Sequence, residues 1–96
     1  MVNGVRGEAV ARLAGAERKL CLTLGALAEI ETGLGVAGIA ALAERMKALL
    51  ARDLMVVLAA LLRGGGEAVL ADGLATTPVD PREAAEAVAK AFAAAA

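Results

Sequence analysis

Polar and apolar residues alternate at the start of the chain. From Arg6 to Leu13 the order RGEAVARL switches between charged and apolar residues, and from Lys19 to Leu24 the order KLCLTL puts Leu20, Leu22 and Leu24 on one face. Period two on both sides of the short linker AGAE predicts a β-hairpin over 5–24. At Thr23, a good N-cap, the period changes. Leu24, Leu27, Ile30 and Leu34 fall at helical spacing, which predicts a helix from Leu24 to Thr32 stopped by Gly33 and Gly35. A second helical stripe, Ile39, Leu42, Met46 and Leu49, runs through Val36 to Leu50, with Glu44, Arg45 and Lys47 turned away from it.

Asp53 then precedes LMVVLAALLRGGG, in which the nine residues Leu54 to Leu62 are all apolar. About two and a half turns with no polar face predict either the most buried helix of the fold or one that shows part of itself to a partner. The glycines at Gly64 to Gly66 end it. These segments make 24–63 a helical core. Residues 67–79 are weakly patterned and read as a loop with at most a short helical turn. Asp80-Pro81-Arg82-Glu83 starts a last helix, with Asp as N-cap, Pro at the first helical position and Glu reaching back to the cap. Ala85, Val88, Phe92 and Ala95 give it a thin apolar stripe over 80–95. The expected fold is α+β, mostly α: an N-terminal hairpin followed by about four short helices in one small domain.

Composition narrows the core. The chain has 96 residues, 59% of them hydrophobic, but Ala and Gly supply much of that and Phe92 is the only aromatic. Such a core consists of Leu, Val, Ile and Met, with small residues that let backbones approach closely. Ala richness favours helix, because Ala loses no side-chain entropy there. The formal net charge is −1 with mixed signs along the chain, so no basic face exists to neutralise phosphates or meet an anionic membrane. The apolar run Leu54 to Leu62 is about half the ~20 residues that a bilayer crossing requires. A soluble, cytoplasmic protein follows as the expectation, one associated with a particle included.

Candidate chemistry is sparse. Gly33 to Gly38 satisfies G-x-G-x-x-G, but a dinucleotide fingerprint needs a buried strand before its first glycine, and AEIET reads as a helix end. The glycines are better explained as a helix stop. Gly64 to Gly66 is not followed by Lys-Ser/Thr and is no phosphate loop. With no His, a general base would have to be a carboxylate or Lys, and Glu29 and Glu31, two apart, point to different faces of a helix. Cys21 is the only cysteine. It excludes an internal disulfide and a cysteine zinc cluster, and it reads as a structural or half-exposed thiol. No catalytic, cofactor or metal site is expected. The helix DLMVVLAALLR, taken as the second helix of a helix-turn-helix, has almost nothing to read a base edge.

Several blocks occur in a telling order: RGE near the start, then LCLTLGALAEIE, then ARDLMVVLAALLRGGG. Over residues 4 to 66, and most specifically Leu22 to Glu31 followed by Gly35, the chain resembles the small tail-assembly protein of gene transfer agents, grouped with phage tail assembly chaperones. That resemblance implies a non-enzymatic assembly factor whose partners are the tape-measure protein and the tail tube protein. A homo-oligomer is left open, and no small-molecule, nucleic-acid or membrane partner is implied. The residues expected to face a partner are Leu22, Leu24, Leu27, Ile30, Met55, Val56 and Ala59. Two alternatives stand beside this one: a structural tail component retained in the particle, and a small helix-turn-helix DNA-binding regulator.

Overall fold

The structure is a computed structural model, and it describes residues 8–95. The hairpin forms from β1 (Glu8–Leu13) and β2 (Ala16–Cys21), an antiparallel pair running in register from Glu8 opposite Cys21 to Leu13 opposite Ala16. Residues 5–7 of the predicted hairpin lie outside the described residues. The turn is two residues long, Ala14 and Gly15, with φ of 52° and 79°, the left-handed pair that matches the twist of a tight hairpin. This corrects the predicted second strand, which was placed at Lys19 to Leu24. A two-residue turn starts β2 at Ala16, and the strand ends at Cys21 because Thr23 has already turned to cap a helix.

Five helices follow: α1 (Leu24–Leu34), α2 (Ile39–Met46), α3 (Ala51–Gly64), α4 (Ala68–Asp72) and α5 (Pro81–Ala95). The Thr23 hydroxyl accepts from the Ala26 N–H at 2.9 Å, as an N-cap does. Gly35, at φ 69°, closes α1 in the left-handed conformation with its N–H on the Glu31 and Thr32 carbonyls. α1 thus runs two residues past Thr32, and Gly33 lies inside it. α2 is shorter than the predicted span from Val36 to Leu50. Within 67–79, read above as a loop with at most a short helical turn, Ala68 to Asp72 form α4, with Leu70 and Ala71 buried.

Helix α3 is the hub. It packs on α1, α4, α5 and β2, while α5 lies along β1. Val57, Leu58, Ala60, Leu61 and Leu62 of α3 are buried, together with Leu13 and Leu20 from the hairpin, Ile30 and Leu34 from α1, and Ala84, Ala87, Val88 and Ala91 from α5. The α5 stripe is only partly the predicted one: Val88 is buried and Phe92 packs against the core, but Ala85 faces solvent, and Ala84, Ala87 and Ala91 complete the buried face. The Asp80 carboxylate accepts from the Arg82 N–H at 2.8 Å, so the cap forms, and among the described residues no bond returns to it from Glu83. Gly64 is needed at the α3–β2 contact, since a Cβ there would collide with the Cys21 carbonyl. The Cα radius of gyration, 12.2 Å, matches the value of about 12.5 Å expected of one compact domain this long.

The loosest element is α2, which packs broadly on no other element among the described residues. Buried Leu42 and a polar clamp hold it. Arg45 donates from Nε and Nη2 to Asp53 Oδ2 at 3.2 and 3.1 Å, and from Nη1 to the Leu34 carbonyl at 3.1 Å. Arg45 thus turns inward, against the expectation that it faces away with Glu44 and Lys47. Asp53 does not precede α3 but sits in its first turn, where the helix dipole favours a carboxylate.

Candidate partner-binding groove

On the outer side of α3, residues Arg52, Met55, Val56, Ala59 and Arg63 recur at helical spacing and form one strip. Helix α1 flanks this strip through Ala28, Thr32 and Gly33, and the other wall is α4 with the segment after it, through Ala71, Leu74 and Ala75. The result is an open groove of about 710 Å³. Its walls are rich in Ala and Gly, and on its floor Met55 is 41% exposed. Gly33 allows the near wall to stand where it does, because a Cβ at that position would collide with Val56 Cγ1. A smaller hollow of about 210 Å³, shared through Met55 and Leu74, adjoins it toward Val79 and Ala84.

The two ends of the groove differ in charge. At one end the Arg63 guanidinium meets both Glu29 and Asp72, the latter at 3.1 Å. At the other end stands Arg52, exposed, with no carboxylate partner among the described residues. Glu29 and Glu31, expected above to point to different faces of a helix, both have roles: Glu29 ties α1 to α3 through Arg63, and Glu31 accepts the Gly38 N–H at 3.1 Å.

The structure brings Met55, Val56 and Ala59 together in the groove. The other four expected residues lie elsewhere. Ile30 is fully buried and has no surface to offer a partner. Leu22 and Leu27 are half-buried against the core. Leu24 is exposed at 86%, but on the first turn of α1, outside the groove. Arg52, Arg63, Gly33 and the α4 wall were missed. Arg52 and Arg63 were within reach of sequence reasoning, since eleven residues is about three helical turns, which returns to the same face. The walls were not, because only the tertiary fold sets them beside α3.

No group of His, Cys, Asp and Glu that could hold a metal is found among the described residues. Cys21 is buried rather than half-exposed. Burial pushes its thiol up from the ordinary value and the Glu8 carboxylate adds to that, against a smaller opposing effect of Lys19. A neutral, enclosed thiol is a poor nucleophile. Helix α3 buries too much of its circumference to enter a DNA major groove as a recognition helix, so that alternative loses its geometric basis. No single helix among the described residues is long and apolar enough to cross a membrane, although α1 and α2, bent by 65°, pass that test as a pair by length and composition.

Comparison with curated proteins and with solved structures yields no match. A family model does match, and it spans residues 6–96, nearly the whole chain. With that match, the chain belongs to a gene transfer agent and phage tail family, the one described as "phage tail tube protein, GTA-gp10".

Proposed function

We propose that this protein is a non-enzymatic tail assembly chaperone of a gene transfer agent or prophage, working in the cytoplasm. It holds a helical segment of the tape-measure protein, the tail tube protein or both while the tail is built. The observation that carries this reading is the apolar groove along α3 on a chain of a tail family. A concave strip of Ala, Gly, Val and Met is the kind of surface that takes the apolar face of a helix.

A second reading is favoured by the family's description as a tail tube protein: a structural component kept in the particle. Surface arithmetic weighs against it. A subunit repeated around a ring and along an axis has four contact faces, and at about 800 Å² each these take more than half of the 5618 Å² available. The large apolar side chains exposed on the described surface, Val10, Leu24, Ile39, Leu50, Met55 and Val69, come one each from β1, α1, α2, the residue before α3, α3 and α4.

Co-expression with the tape-measure protein encoded beside it, followed by co-purification, tests the first reading. Association is expected, and it should be lost in Ala59→Arg, which fills the groove with a charged side chain. No association in either order of expression sinks the reading. Mass spectrometry of purified particles separates the two readings, because stoichiometric recovery of the chain means a component and its absence means a chaperone.

A further inference from the structure

The groove is electrically polar along its length, and we propose that it takes a partner helix in one direction only, antiparallel to α3. This rests on the reading of the groove as a helix site. At the Arg63 end, two carboxylates, Glu29 and Asp72, share one guanidinium, which leaves a net charge of −1. At the other end Arg52 stands as an unshared +1. The dipole of α3 acts in the same sense, since its positive N-terminus lies at Arg52 and its negative C-terminus at Arg63. A helix lying with its own N-terminus toward Glu29 and Asp72, and its C-terminus toward Arg52, meets opposite charge at both ends. Turned round, it meets like charge at both.

The occupant is therefore an amphipathic helix of about three turns, the roughly 16 Å that separates Arg52 from Arg63 on α3. It carries Leu- or Met-sized residues on one face, a basic residue in its first turn and an acidic residue in its last. The bulk has to come from the partner, because the floor and walls present Ala28, Gly33, Ala59 and Ala71, and small residues leave room for large ones. A second copy of this chain fits less well: two concave strips face to face leave a void between them, and voids forfeit the contacts that hold an interface.

The test uses two capped, fluorescently labelled 18-residue helical peptides, cross-linked on their outer face to equalise helicity. Both carry the same Leu/Met face. One has Lys in the first turn and Glu in the last, and the other has the two exchanged. Binding to the full chain is read by anisotropy. At about 50 mM salt the Lys-first peptide is expected to bind about fivefold tighter or more, the preference shrinking toward parity at about 500 mM as screening rises. Arg52→Glu, an exposed change, leaves −1 at both ends and should bring the two peptides close to parity, and Ala59→Arg should weaken both peptides. Equal affinities, or tighter binding of the Glu-first peptide, overturn the direction while leaving the groove reading intact. Binding of neither peptide at up to about 1 mM, a limit of about −4 kcal/mol, overturns both. Sedimentation equilibrium covers the remaining occupant, since a dimer dispersed by Ala59→Arg would place a second copy in the groove and overturn the proposal.

Discussion

Replacing Arg45 with Met leaves Asp53 charged and alone. Asp53 is buried at 4% exposure, and both side-chain hydrogen bonds that it accepts come from Arg45, at 3.2 and 3.1 Å. Removing one partner of a fully buried pair costs about 3–5 kcal/mol, because the other charge stays desolvated without compensation. Here the Arg45 side chain is 35% exposed against 6% for Asp53, so water already reaches one half of the pair and can reach the carboxylate once the guanidinium is gone. The expected loss is therefore about 2–3 kcal/mol, with the unmade bond to the Leu34 carbonyl included. For a chain of this length that is a large part of a total stability of about 5–14 kcal/mol, and it lowers Tm by about 10–20 °C. The double variant Arg45→Met, Asp53→Leu removes both charges and should lie within about 1 kcal/mol of the parent. Urea unfolding followed by far-UV circular dichroism reads both, and the absence of Trp and Tyr makes that probe preferable to fluorescence. A cost below about 1 kcal/mol for Arg45→Met, or a double variant as weak as the single one, would refute the view that the pair is an uncompensated charge held in check.

Other outcomes are expected from separate parts of the fold. Thr23→Ala removes the hydroxyl that caps α1 and should cost about 1 kcal/mol in the same urea assay. Leu61→Ala, at a position with no exposure on the helix that every layer touches, should cost about 2–5 kcal/mol, the range for a cavity in a packed core. Cys21, buried and raised above its ordinary value, should react with a thiol reagent at neutral pH only as fast as the structure opens. Because the folded state holds that proton more tightly than the unfolded chain, the contribution of the neutral thiol is complete below the unfolded value of about 8.5. It is lost as pH rises from there through the folded value. Cys21→Ala should flatten this alkaline decline, which thermal melts across the range would read.

How much of this was legible depended on whether a signal was local. The caps at Thr23 and Asp80 were readable because side-chain chemistry at one position fixes them. The hairpin was readable from its alternation, but its register was not. Nothing in AGAE selects Ala14-Gly15 as the turn, and Ala14 adopts a positive φ that its residue type rarely takes. Leu24 was expected beside Leu20, but the strand ends at Cys21, and Leu24 is instead the exposed first residue of α1. On α5 the failure had another cause. In a segment as rich in Ala as PREAAEAVAKAFAAA, the face of Arg82, Glu86 and Lys90 is ruled out, but the rest of the circumference offers more than one apolar stripe as the core face. The choice of Ala84, Ala87, Val88 and Ala91 comes from the hairpin packed against them, which a periodicity within α5 cannot contain.

The groove follows from a mismatch of lengths around the hub. Helix α3 has 14 residues, about 21 Å, while α4, which covers its outer side, has 5, about 7.5 Å. Along the rest of α3 the outer strip has no helix above it, and α1 cannot roll over to close it because Gly33 already sits against Val56. Apart from Leu54, which is half-buried against the core, the apolar residues up to Leu62 therefore divide into two populations. Val57, Leu58, Ala60, Leu61 and Leu62 are spent on the core, and Met55, Val56 and Ala59 remain at least partly uncovered. An all-apolar run with a core on one side and no partner on the other left open, from sequence alone, whether it was buried or partner-facing. In the fold one part of it is buried and another part is uncovered, and the short α4, pinned at its end by Asp72 on Arg63, marks where one passes into the other.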